Sequence, residues 1–197
     1  MAGLLIAFEG LDQSGKETQA RHVRDHLRQQ GRKSRVESFP DYGTSIGEEI
    51  ARALQGERAY SPEVMQLLYV ANRFERRADL ERWLAGDLIV LCDRYLASSI
   101  AYGEAQELDP AWLTDLQRFL PQPDLTVLLD VSPETAARRK TTDRDRYERD
   151  LALLGKARQS YLRLASDDRW VTVDGEQSET VVTAAVVEAV TSRLSPA

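Results

Sequence analysis

The chain has 197 residues, of which 42% are apolar, which is enough for one domain with an ample hydrophobic core. Its formal net charge is -6, which argues against binding to a nucleic-acid backbone, because such binding needs clustered Lys and Arg to displace counterions. We expect no secretory leader, because the N-terminal segment has neither a basic n-region nor a cleavage site, and no stretch approaches the length of a membrane span. Cys92 is the only cysteine, so no intrachain disulfide is possible, and it lies in an apolar run. We therefore expect one cytoplasmic domain over residues 1–197 that binds small molecules, with neither nucleic acid nor membrane as a partner.

Five short apolar runs alternate with longer amphipathic stretches along the chain. The runs cover residues 3–8, 34–39, 88–92, 125–131 and 170–174. Strands rich in Val, Ile and Leu that alternate with helices predict an α/β fold, here a five-stranded parallel sheet with helices on both faces. Ligands of such folds bind outside the carboxyl ends of the strands, so the residues that follow each run are candidates for function.

The first run leads into a phosphate-binding loop. Glycines at both ends let the backbone N–H groups converge on phosphate oxygens, and Lys16 is placed to reach the β- and γ-phosphates of a nucleoside triphosphate. A strand pattern before the loop and a helix pattern after it favour this interpretation over an ordinary glycine-rich turn. The candidate ATP-binding residues here are Gly10, Leu11, Asp12, Gln13, Ser14, Gly15, Lys16, Glu17 and Thr18.

Glu17 occupies the position where Ser or Thr normally binds Mg²⁺. A carboxylate there would repel the triphosphate, so the side chain either reaches the metal through water or turns away from it. We expect that it turns away, because a Glu in the first turn of a helix is also favourable without touching metal.

Aromatic and charged residues follow the second and third runs. The segment Phe39-Pro40-Asp41-Tyr42 predicts either a wall of a nucleotide pocket or a simple proline turn. Asp93 and Arg94 follow the third run, where the acid could organise Mg²⁺ and the guanidinium could bind a phosphate. The plainer alternative for Asp93 is a helix N-cap.

Proline-containing helix starts mark three further helices. Ser61-Pro62-Glu63 opens a long helix to about Ala85, and the others begin at Asp109-Pro110 and Ser132-Pro133-Glu134, while Gly31 and Gly86 end helices. On the long helix Tyr69 and Arg73 share one face, where they could hold a base between them or form a surface cation–π pair.

The most polar segment begins at Arg138 and runs to Arg146. A run of charges is usually a solvated face, but phosphoryl transfer needs cations over the migrating group. We therefore predict a lid at about residues 138–148 that closes over the phosphates and excludes water.

Several motifs occur in order along the whole chain. They are Phe8-Glu9-Gly10-Leu11-Asp12, Phe39-Pro40, Ala71-Asn72-Arg73-Phe74-Glu75, Asp93-Arg94-Tyr95 with Ser98 and Tyr102, Leu120-Pro121-Gln122-Pro123-Asp124, and Arg146-Tyr147-Glu148. Together they resemble the thymidylate kinase family. The resemblance implies a P-loop fold of the nucleoside monophosphate kinase type with a short lid, phosphate transfer from ATP to dTMP with Mg²⁺, and a homodimer.

The resemblance also implies roles for individual residues. The implied catalytic residues are Lys16, Asp12, Asp93, Arg94, Arg144 and Arg146, with Lys16 bridging the phosphates, Arg94 holding the acceptor phosphate and Asp93 ordering Mg²⁺ or its water. The implied dTMP-binding residues are Asp12, Phe39, Pro40, Tyr42, Tyr69, Arg73, Arg94, Ser98, Ser99 and Tyr102. Among these, Phe39 would line the sugar before a cis bond to Pro40, Tyr69 would stack on thymine, Arg73 would bind the base edge, and Tyr102 would crowd the 2′ position. Arg139 would flank adenine.

The chain also departs from the family pattern. Gln13 stands where some relatives have a basic residue, so the catalytic cation is expected from the lid, from Arg144 or Arg146. Ser99 is smaller than the amide of some relatives, which leaves the base preference open. Two alternatives remain: a related kinase for another deoxynucleotide or deoxynucleoside, and a nucleotide-binding regulator that has lost catalysis.

Overall fold

The structure, a computed structural model, describes residues 3–139 and 150–194. Its strands form one parallel sheet in the order β2-β3-β1-β4-β5. The strands are β1 (Leu4–Glu9), β2 (Ser34–Ser38), β3 (Ile89–Asp93), β4 (Leu125–Asp130) and β5 (Trp170–Asp174). All five predicted strands are confirmed, with ends that differ from the apolar runs by one residue at most.

Helices connect the strands in the described ranges. They are α1 (Lys16–Gln29), α2 (Ser45–Leu54), α3 (Pro62–Glu75), α4 (Arg77–Ala85), α5 (Leu96–Ala105), α6 (Pro110–Leu116), α7 (Pro133–Arg139), α8 (Leu151–Leu164) and α9 (Glu179–Leu194). In this part of the chain, no helix is long and apolar enough to cross a membrane.

Alternate residues of β1 pack into different cores on the two faces of the sheet. Ile6 and Phe8 pack with side chains of α1 and α9, whereas Leu5 and Ala7 pack in a second cluster that includes Leu80 of α4. Because successive side chains of a strand point to opposite faces, a strand buried on both faces reads as a continuous apolar run. Helices cover both faces of the sheet, as predicted.

Two helix predictions need correction. The helix predicted from Pro62 to about Ala85 is two helices, α3 and α4. The chain leaves regular α-helix geometry at Arg76, whose N–H donates to the carbonyl oxygen of Arg73, three residues back. Helix α2 was not predicted; it begins after Thr44, whose side chain accepts a hydrogen bond from the Gly47 N–H. The predicted ends at Gly31 and Gly86 are confirmed: Gly31 has φ 75°, and Gly86 is the C-cap of α4.

Candidate functional site

The loop between β1 and α1 has the backbone that its glycines predict. Gly10 has φ 138° and Gly15 has φ 97°, conformations that other residues rarely adopt. A Cβ atom at Gly10 would lie 2.5 Å from the carbonyl oxygen of Leu129. Lys16 begins α1, and its ammonium donates to the carbonyl oxygen of Leu11 at 2.7 Å, so it lies across the loop. An anion cradled by the loop would meet both the helix N-terminus and this ammonium.

Arg94 connects this loop to the end of β3. Its Nη2 lies 2.6 Å from Oδ1 of Asp12, and the hydroxyl of Tyr102 donates to Oδ2 of the same carboxylate at 3.0 Å. Burial by itself would raise the pKa of Asp12, but the positive charges of Arg94 and Lys16 lower it to about 2. Asp12 is therefore a carboxylate at neutral pH, and it fixes a guanidinium at the mouth of the loop.

A buried carboxylate lies behind Arg94. Glu9 is fully buried, and its Oε1 accepts from the N–H of Tyr95 at 2.8 Å, while its Oε2 accepts from the hydroxyls of Ser98 at 2.6 Å and Tyr161 at 3.1 Å. The guanidinium of Arg94 donates to the same two hydroxyls, at 3.1 Å to Ser98 and 3.4 Å to Tyr161. The hydroxyl of Ser98 therefore holds Arg94 and Glu9 together.

A pocket next to Arg94 contains every residue predicted for dTMP. They are Asp12, Phe39, Pro40, Tyr42, Tyr69, Arg73, Arg94, Ser98, Ser99 and Tyr102. The peptide bond between Phe39 and Pro40 is cis, as the resemblance implied. The pocket is also lined by residues that were not predicted, namely Leu54, Gln66 and Gln106.

Arg73 is held rigidly in this pocket. It is buried, and its Nη1 donates to the hydroxyl of Ser99 at 2.7 Å and to Oε1 of Gln117 at 3.2 Å. The amide of Gln117 donates in turn to the carbonyl oxygens of Leu96 and Leu113. The plane of the guanidinium is thus set before any base arrives.

A second pocket lies on the other side of the loop. It is lined by loop residues Gln13, Ser14, Gly15 and Thr18, together with Arg139. Arg139 donates to the carbonyl oxygen of Gln13 at 3.2 Å and to that of Gly175 at 2.6 Å. Arg139 therefore lies against the loop, and its expected place beside adenine stays a prediction. Arg144 and Arg146, with most of the predicted lid, lie outside the described residues.

Comparisons with known proteins agree with this arrangement. The family model for thymidylate kinase matches residues 8–186. The chain belongs to the thymidylate kinase family. It is 34% identical to the thymidylate kinase of Schizosaccharomyces pombe, over 96% of this chain and 92% of that protein. It is 36% identical to that of Geotalea uraniireducens, over 98% of this chain and 99% of that protein.

A solved structure gives the same result for the fold. The thymidylate kinase of Candida albicans superposes with a TM-score of 0.88 at 30% identity, and the match covers 98% of this chain and 93% of that one. That enzyme has broad substrate specificity. The fold is therefore that of a nucleoside monophosphate kinase of the thymidylate kinase family.

Asp93, the residue predicted to organise Mg²⁺, has an environment that suits a metal ligand. Asp93 ends β3, and its buried Oδ1 has no hydrogen-bond partner among the residues of the described ranges. Burial raises the pKa of Asp93, while Lys16 and Arg94 oppose that effect. Glu17 points elsewhere, since its carboxylate lies 2.5 Å from Arg21 one turn along α1 and is more than half exposed. The unpaired carboxylate oxygen of Asp93 could bind Mg²⁺ or one of its water ligands, because Mg²⁺ prefers hard oxygen ligands.

Sequence reasoning missed several side chains that support the site. Glu9 was quoted only as part of a motif, and Gln66, Gln117 and Tyr161 were not singled out. Gln66 has one usable signal, since it lies three residues before Tyr69 and seven before Arg73 on one helix face. Gln117 and Tyr161 lie on segments far from the site in sequence and carry no such signal.

Proposed function

We propose that the chain is a thymidylate kinase that transfers the γ-phosphate of ATP to dTMP, giving dTDP and ADP. The observation that carries this proposal is the position of Arg94, bound to Asp12 between the phosphate loop and the pocket of Tyr69 and Arg73. The two pockets would hold the donor and the acceptor, and the two phosphates would meet at Lys16 and Arg94.

Positioning and charge account for most of the rate in such a reaction. Lys16 would contact oxygens on both phosphates, and Arg94 would offer its planar fork to the acceptor phosphate. The Asp12 carboxylate keeps Arg94 in place, so little reorganisation is needed when the acceptor binds. Mg²⁺, associated with Asp93 directly or through water, would neutralise charge on the triphosphate. Arg144 or Arg146 would supply a further cation over the migrating group.

The acceptor pocket supports a pyrimidine deoxynucleotide. Tyr69 would stack on the base, Arg73 would donate to its edge and Phe39 would line the sugar. The hydroxyl of Tyr102 is held by Asp12, so its ring would crowd a 2′-hydroxyl and favour deoxyribose. Arg139 would flank the adenine of ATP. A homodimer is part of the proposal, and the expected cytoplasmic location stays a prediction.

Coupled release of ADP, measured with dTMP, dUMP, dCMP, dAMP, dGMP and thymidine, tests the proposal. We expect the highest kcat/KM with dTMP and a kcat/KM several-fold lower with dUMP, because a buried methyl group is worth about 1 kcal/mol. Faster phosphorylation of thymidine than of dTMP would instead indicate a nucleoside kinase. Binding of ATP without turnover of any acceptor would indicate a regulator, and either result would contradict the proposal.

A further inference from the structure

Helix α3 presents a third polar side chain to the acceptor pocket. Gln66, Tyr69 and Arg73 lie at positions i, i+3 and i+7, which share one face of a helix, and all three line the pocket. The stacking ring is therefore flanked along the helix by an amide on one side and a guanidinium on the other. Tyr69 and Arg73 already have roles in the proposed function, whereas Gln66 has none.

Gln66 is buried without a protein partner for its acceptor. Its side chain is 1% exposed, yet Oε1 has no hydrogen bond to any residue in the described ranges. A buried amide oxygen without a partner costs free energy, and native proteins tolerate such atoms mainly where they have a use. Nε of Arg73 is a buried donor in the same situation. The pocket thus holds one unpaired acceptor and one unpaired donor.

Another buried amide of the same region shows that this situation is not general. Gln117 is 2% exposed, but its Oε1 accepts from Arg73 and its Nε2 donates to two backbone carbonyls. Gln117 therefore has a complete structural role, and Gln66 does not. The difference points to a partner for Gln66 that arrives with the ligand.

We propose that Gln66 is a base-specificity residue whose Oε1 accepts the N3–H of the pyrimidine, next to the carbonyl that Arg73 binds. This rests on the proposed function, because it assigns a contact to the same acceptor. Thymine and uracil present a carbonyl acceptor and an N–H donor side by side, which matches a donor from Arg73 and an acceptor from Gln66. Cytosine presents an amino donor and a ring-nitrogen acceptor there, so both contacts would be mismatched. Recognition of this kind rejects the wrong base because buried polar groups are left unpaired.

The test combines a variant with a modified ligand. Gln66→Met keeps the length of the side chain and removes the amide, and N3-methyl-dTMP removes the N–H of the base. Dissociation constants for dTMP and N3-methyl-dTMP are measured by calorimetry with both proteins. We expect the wild type to bind dTMP about thirtyfold more tightly than the methylated ligand, and Gln66→Met to reduce this ratio to about threefold, because the hydrogen bond is already absent.

Gln106→Met is the matched control. Gln106 also lines the pocket, but its amide donates to the backbone carbonyl of Tyr102 at 2.9 Å, so we expect the ratio of the two dissociation constants to stay as in the wild type. An unchanged ratio in Gln66→Met would overturn the inference while leaving the kinase proposal intact. Failure of the wild type to phosphorylate dTMP would overturn the proposed function itself. Thermal unfolding without nucleotide verifies that each variant is folded.

Discussion

Lys16 experiences opposing electrostatic influences at the start of α1. Burial lowers the pKa of its ammonium, and the positive charge of Arg94 lowers it further, whereas the carboxylates of Asp12, Asp93 and Glu9 oppose both effects. The resulting pKa is about 8, well below the ordinary value of 10.5. In the free protein the Lys16 ammonium therefore loses its proton as the pH rises through about 8.

The affinity for ATP should consequently depend on pH. Because the ammonium loses its proton as the pH rises through about 8, the dissociation constant for ATP should increase above that pH, by about tenfold per unit. Calorimetric titration between pH 6 and 9.5 measures this. In Lys16→Arg the cation stays protonated, so its affinity, whatever its absolute value, should be flat over the same range. A flat profile for the wild type would show that Lys16 is not the titrating group.

Glu17 gives a prediction about the metal at the same scale. Its carboxylate is engaged with Arg21 and exposed to solvent, so Glu17→Thr should stay active and should need slightly less Mg²⁺ for half-maximal rate, because a hydroxyl ligand is restored. Initial rates against Mg²⁺ at fixed ATP measure the midpoint. Glu17→Gln is the control, since it removes the charge without adding a hydroxyl, and its midpoint should match the wild type. A large increase in the Mg²⁺ requirement of both variants would show that the carboxylate helps to hold the metal.

Residues with strong local signals were predictable, and residues that act through other side chains were not. The glycines and Lys16 form a motif whose spacing carries its chemistry, and Arg94 directly follows a buried strand. Gln117 acts only because α6 packs near α3, a contact that depends on the tertiary fold and leaves no periodicity in the sequence. The supporting layer of the site therefore required the structure.

At the scale of elements, the buried Glu9 joins three of them. It ends β1 and accepts hydrogen bonds from the first turn of α5 and from Tyr161 of α8. Burial raises the pKa of Tyr161, with the charge of Glu9 adding to this, so the hydroxyl keeps its proton and acts as a donor. The contact therefore fixes α8, which follows the predicted lid segment in the sequence.

Removing that hydroxyl should cost stability. Tyr161→Phe leaves a buried carboxylate short of one donor, and we expect the free energy of unfolding to fall by about 1–3 kcal/mol in denaturant titration. Tyr60→Phe is a suitable comparison, because the Tyr60 hydroxyl donates to a less buried carboxylate, Glu49, at 2.6 Å, and its loss should lower the free energy of unfolding much less. Equal losses in the two variants would contradict a special role for the Glu9 network.

Helix boundaries show a similar division between what was predictable and what was not. Helices that begin with a capping residue and proline were predicted at the correct residue, as at Pro110 and Pro133. The break at Arg76 has neither glycine nor proline to mark it, and the two helices pack on different partners, α3 on α2 and α5 and α4 on β3. Helix α2 carries Ile46, Ile50 and Leu54 at helical spacing, a signal that the proline segment before it obscured.

At the scale of the whole molecule, the strand order brings the site together. The central strands β1 and β3 are in register, with Phe8 opposite Asp93, so the phosphate loop and the segment of Arg94 leave the sheet side by side. The chain crosses from one side of β1 to the other between β3 and β4, and crevices of α/β sheets form at such points. This is why residues distant in sequence, from Asp12 to Tyr102, meet at one end of the sheet.

The outer face of α3 bears on assembly. Val64 and Leu67 are 38% and 45% exposed, and helical spacing places them on one face with Ala71, away from the pocket face of Tyr69. Exposed apolar residues on the outside of a helix are a candidate interface, so we predict that the homodimer implied by the family forms through this face. Because Tyr69 lies on the same helix, the interface would also steady the acceptor pocket.

We therefore expect Leu67→Glu to separate the dimer. Placing a charge in the centre of each of two facing stripes would bury both charges, so the mass in solution should fall from about twice the monomer mass of 22.2 kDa to that of the monomer. Light scattering coupled to size-exclusion chromatography measures it. Leu162→Glu on α8 changes a leucine of similar exposure, 42%, on another helix, and should leave the dimer intact. A dimer that persists in Leu67→Glu, or a wild-type chain that is already monomeric, would exclude this face of α3 as the interface.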